Sequence, residues 1–104
     1  LITGVAESRG PQNERLEVTR TKDGARLKIQ LAEAATVRLI IYDLAGRPVR
    51  SWGEVKLPAG ASSFEWDGSS DHGRSLPSGP YFCRLTFGGA EPEILTARAD
   101  LTQW

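Results

Sequence analysis

From Leu16 onward the chain alternates. The segment "ARLKIQL" sets Ala25, Leu27, Ile29 and Leu31 against Arg26, Lys28 and Gln30, and a period of two residues puts one set on each face of an extended strand. No useful length of sequence repeats its apolar residues every 3.6 positions, so the amphipathic helix is excluded as the main building element. Turn residues interrupt the alternation at intervals of roughly ten residues. The spacing predicts strands over Leu16–Arg20, Ala25–Leu31, Thr36–Asp43, Arg47–Trp52, Ala61–Asp67, Pro80–Phe87 and Glu93–Leu101. Val37, Leu39 and Ile41 face inward in the third, Phe64 and Trp66 in the fifth, and Tyr81, Cys83, Leu85 and Phe87 in the sixth. The expected fold is all-β, a seven-stranded antiparallel sandwich of immunoglobulin or fibronectin-III-like type.

The connections support that reading. Lys22-Asp23-Gly24 turns the first strand into the second, with Asp-Gly expected to supply the positive φ of a tight hairpin. Asp43-Leu44-Ala45-Gly46 fits a type I turn closed by a glycine bulge. Ahead of the alternating region, residues 1–15 include Ser8-Arg9-Gly10-Pro11-Gln12-Asn13, a composition suited to a linker or extended segment. The domain proper is then 16–104. A chain that opens on Leu1 is expected to be a processed piece or a fragment of something longer.

Charge excludes several function classes. The 13 basic and 13 acidic residues cancel, so neither a net field nor a basic run draws in nucleic acid or an anionic membrane. No apolar stretch reaches the ~20 residues a membrane helix needs, and no direct membrane insertion is expected. Cys83 is the only cysteine; it cannot form an internal disulfide, and it sits in an apolar run that suits packing.

The segment "FEWDGSSDHGRSLPSGPYFCRL" concentrates the chemistry-bearing side chains. Asp71 and His72 with Ser69, Ser70 and Ser75 supply the residue types of a catalytic triad, but neighbours in sequence project apart and no nucleophile elbow is present. Asp67, Ser69 and Asp71 have the oxygen spacing of the first half of a calcium loop. His72 then replaces the sharp-turn glycine and Ser78 the bidentate glutamate. The competing reading has Asp67 and Asp71 capping turns through backbone N–H groups, with Trp66 and Tyr81 anchoring the two ends of a strand connection. No enzyme activity, metal or cofactor is expected.

Taken in order, "VRLIIYDLAGRPVRSW", "LPAG", "FEWDG", "GR" and "LPSGPYFCRL" resemble the bacterial immunoglobulin-like domains related to that of the flagellar hook-capping protein. The same pattern resembles the C-terminal domains that act as type IX sorting signals. The resemblance implies a non-catalytic, extracytoplasmic C-terminal module for interaction, sorting or assembly in a secreted or cell-surface bacterial protein. Two alternatives stand beside it: an accessory substrate- or carbohydrate-binding domain of an exported enzyme, using Trp52 or Trp104, and a structural subunit packing into a filament or extracellular multi-protein complex.

In an immunoglobulin order the third and sixth strands are neighbours, and their outward residues include Ile40, Tyr42 and Phe82 edged by Arg38 and Arg84. Apolar and aromatic groups rimmed by arginine have the composition of an interface centre. The expected occupant is a protein partner or a preceding domain of the same parent, with the segment carrying Leu1, Ile2 and Val5 as an intramolecular alternative. A strand donated to a sheet edge is a second route, blunted locally by Pro48 and Pro92.

Overall fold

A computed structural model describes residues 5–9, 14–88 and 92–101. Among them are eight strands: β1 (Val5–Arg9), β2 (Arg15–Arg20), β3 (Ala25–Leu31), β4 (Ala35–Tyr42), β5 (Pro48–Leu57), β6 (Gly60–Trp66), β7 (Gly79–Phe87) and β8 (Glu93–Leu101). They form two four-stranded antiparallel sheets, ordered β1-β2-β3-β6 and β5-β4-β7-β8. The seven strands read from the alternation are all present, two with the expected ends and the others within one to five residues. β1 is an addition, formed inside the stretch assigned to a linker or extended segment.

Alternation translates directly into burial. β3 buries Ala25, Leu27, Ile29 and Leu31 and exposes the three residues between them. Val37, Leu39 and Ile41 of β4 meet Cys83, Leu85 and Phe87 of β7 in register, all of them buried. Ala97 and Ala99 keep the inner face of β8 small, and β8 packs closely across the sandwich against β2. Interiors at crystal-like density allow sheets to approach where side chains are short.

Three expectations need correction. Phe64 is half-buried, because β6 is the edge strand of its sheet and Phe64 packs edge-on to Trp52 with ring centroids 5.9 Å apart. β5 continues five residues past Trp52, carried through Gly53 at φ +69° where its register against β4 shifts. Such a bulge lets one strand bend without losing its partner.

The third concerns Gly24, whose φ is not positive. What this position requires is the absence of a side chain: a Cβ there would lie 2.0 Å from the backbone oxygen of Trp66. The Thr21–Gly24 turn closes instead with Thr21 N–H donating to Gly24 O and Gly24 N–H donating to Thr21 Oγ1.

Candidate functional site

Residues 67–78 connect the two sheets and are anchored at both ends, as expected. The Trp66 indole N–H donates to Ser69 O at 2.9 Å and the Tyr81 hydroxyl to Pro77 O at 2.7 Å, while the two rings meet in a T-shaped contact at 5.6 Å. A tyrosine near the start of a strand, bonded to backbone a few residues upstream, is the corner device of immunoglobulin-type sandwiches. Burial raises the Tyr81 pKa, with the charge of Asp43 adding to the effect, so the hydroxyl stays a donor.

The acidic side chains of this connection are exposed but engaged by nearby backbone N–H groups. Asp67 accepts the backbone N–H and the hydroxyl of Ser69, and these two bonds hold its pKa down. Asp71 reaches the other way. Its N–H donates to Val49 O and its Oδ1 accepts Ser51 N–H, so the connection seals the start of the β5 edge against strand addition. Asp67, Ser69 and Asp71 therefore do not converge, and among the described residues no group of three or more metal-ligating side chains forms.

The triad residues are likewise not assembled. Ser70 Oγ accepts the backbone N–H groups of His72 and Arg74, Asp71 faces Ser51, and the exposed His72 imidazole has no hydrogen-bond partner among the described residues. Cys83 is fully buried and its thiol is pushed up to about 12 by that burial, which leaves it without nucleophilic character at neutral pH. An open cleft of about 860 Å³ lies between the Asp43–Pro48 turn and this connection. It has a wall of Pro48, Leu76 and Pro77, and sequence reasoning gave no sign of it because its sides come from segments far apart in the chain.

Asp43 organises the neighbouring turn. One carboxylate oxygen accepts the N–H groups of Ala45 and Arg47 at 3.0 and 2.9 Å, the other accepts Arg47 Nε–H at 3.0 Å, and Gly46 at φ +85° lets the chain reverse. These bonds, the Arg47 backbone N–H foremost, hold the Asp43 pKa below the usual carboxylate value. A pKa lowered on folding contributes stability above the unfolded-state pKa, and that contribution is lost as pH falls through the folded value. Asp43→Asn is expected to flatten the acid side of the stability curve; denaturation midpoints taken from neutral pH down to about pH 3 measure it. An acid limb identical to that of the parent chain would show that Asp43 contributes nothing there.

The outer face of the second sheet gathers the residues singled out for binding. Tyr42 pairs with Phe82 and Ile40 with Arg84 in the β4–β7 register; Ile40, Tyr42 and Phe82 are half-buried, and Arg38 and Arg84 are exposed. Arg84 lies over the Tyr42 ring at 4.9 Å, and Arg38 pairs with Glu54 at 2.8 Å. Ile94, on the same face opposite Thr86, is 55% exposed, and Leu44, at the adjoining turn, is 72% exposed. Leu44 stands in a turn, where alternation assigns no face, whereas the alternation of Leu95, Ala97, Ala99 and Leu101 against Thr96, Arg98 and Asp100 places Ile94 outward.

β1 belongs to the opposite sheet, paired with β2, so the strand that carries Val5 does not cover this face. Leu1, Ile2 and Trp104 lie outside the described residues. Trp52 is half-buried, with the Arg50 guanidinium 5.2 Å from its ring centroid and Phe64 in a T-shaped contact at 5.9 Å, so part of the ring is already engaged within the fold.

Fold and site define an immunoglobulin-like sandwich whose Asp43, Asp67 and Asp71 carboxylates are engaged by its own turns and edge strand, and whose second sheet carries a partly apolar outer face. The chain belongs to the FlgD Ig-like domain family, whose model matches residues 16–89. Among solved structures it is similar to FlgD from P. aeruginosa, at 26% identity over 80% of this chain and 66% of that one, with a TM-score of 0.63. It also shares its fold with FlgD from Xanthomonas campestris, at 21% identity over 94% of this chain and 70% of that one, with a TM-score of 0.60; that protein is described in terms of hook capping essential for flagellar assembly. The chain thus spans about two thirds of the length of these proteins. No curated protein matches it.

Proposed function

We propose that this domain is a non-catalytic assembly module of an exported bacterial protein, and that it acts by docking another protein on the outer face of the second sheet. The observation that carries the reading is the in-register cluster of Ile40, Tyr42 and Phe82, edged by Arg38 and Arg84 and extended by exposed Ile94. An apolar patch of this kind on the middle strands of a sheet is costly to leave facing water. Family membership supports an assembly role, since FlgD from Xanthomonas campestris is associated with hook capping. The extracytoplasmic location is part of the same proposal.

The test is the parent protein carrying Ile40→Ser together with Phe82→Ser, expressed in its own host. Export is expected to be normal, with recovery of the co-assembling protein reduced about tenfold or more, as for loss of interface anchors. The exposed variant Arg84→Glu, which leaves the apolar groups in place, is expected to reduce recovery in the same direction. Retention of the variants in the periplasm, or full recovery of the partner, would contradict the reading; the first result would point to the sorting role that the sequence resemblance implies.

A further inference from the structure

The arginines of the outer face differ in what balances them. Arg38 is paired with Glu54 and Arg98 with Asp100, whereas Arg84 has no carboxylate partner among the described residues. Its guanidinium lies over the Tyr42 ring, 4.9 Å from the centroid. A cation over an aromatic face is attracted by the ring quadrupole, and Arg84 is exposed, so its N–H donors remain open to a ligand. The planar guanidinium fork matches a carboxylate through two parallel hydrogen bonds.

Beside the fork is a depression of about 230 Å³ lined by Tyr42, Leu44, Phe82, Arg84 and Thr96. It is below the size of a typical small-molecule site, and suits one side chain of a larger ligand. Leu44 stands exposed at its rim and Phe82 forms part of its wall. Asp43 also borders it, but the Asp43 carboxylate is engaged by Ala45 N–H, Arg47 N–H and the Arg47 guanidinium.

We infer that this depression receives an aliphatic side chain of a partner protein whose neighbouring group is a carboxylate, an acidic and apolar segment laid along the end of β4 and β7. The side chain packs against Phe82 and Leu44, and the carboxylate bonds to the Arg84 fork. With no net charge on the chain to attract an acidic partner from a distance, the selectivity is local. A segment with a basic residue in that place would set two cations together and be rejected. The inference deepens the docking role proposed above and rests on it.

The smallest probe that carries both groups is N-acetyl-leucine, with N-acetyl-leucinamide as the same side chain without the charge. Each is titrated into the isotope-labelled 104-residue chain and followed by backbone amide resonances. The acid is expected to shift Tyr42, Leu44, Phe82, Arg84 and Thr96 saturably and to bind about threefold or more tightly than the amide. Arg84→Gln should abolish that difference, and Leu44→Ser should weaken acid and amide alike. Equal binding of acid and amide, or no saturable shift at these positions up to about 50 mM, overturns the inference. Because no partner protein takes part, the outcome is independent of whether the parent protein recovers one in its host.

Discussion

Trp66→Ala is expected to remove about 3–5 kcal/mol of stability, a large share of the total for a domain of this size. The indole is almost wholly buried, stacks edge-on with Tyr81 and donates to Ser69 O. Its loss leaves a cavity between the sheets, an unmet carbonyl and a connection released at one end. Tyr81→Ala is expected to cost a similar amount, because it frees the other end at Pro77. Chemical denaturation monitored by circular dichroism measures both. A loss below about 1 kcal/mol for Trp66→Ala would contradict the packing described here.

Gly24→Ala is expected to be comparably damaging, about 3 kcal/mol or more, although it adds a single methyl group. That methyl would be placed 2.0 Å from the Trp66 carbonyl oxygen and 2.9 Å from its carbon, and backbone hydrogen-bonded into the β3–β6 ladder cannot step aside as a flexible side chain would. Gly46→Ala is the control. A Cβ at Gly46 meets nothing within 4 Å, so its cost comes from positive φ alone, about 1–2 kcal/mol. If the two substitutions prove equally costly, close approach is not the reason for glycine at position 24.

These two sites mark where reading the sequence succeeds and where it stops. Trp66 was legible because alternation put it inward with Phe64, and because an aromatic at each end of a glycine-punctuated connection has few other uses. Gly24 was read correctly as a turn residue for the wrong physical reason. Asp-Gly suggests a left-handed residue from local chemistry, whereas the real constraint is a carbonyl supplied 42 positions later in the chain.

Phe64 shows the same limit from another side. Period-two patterning tells which face a residue occupies, and the order of strands, which it does not contain, decides whether that face is central or at an edge. The direction of Asp71 toward Ser51 is likewise a product of strand order. By contrast, the cluster of Ile40, Tyr42 and Phe82 followed from alternation together with an immunoglobulin-type neighbour relation, and that relation holds in the structure.

A domain that works through the outer face of the second sheet must bring a partner against Phe82. The most direct measurement places a photo-crosslinking amino acid at Phe82 in the parent protein and, separately, at exposed Ser63 on the outward side of β6 in the opposite sheet, each in the native host. A specific protein adduct is expected from position 82 and none from position 63. Adducts equal at the two positions, or a specific adduct from position 63 alone, would contradict it.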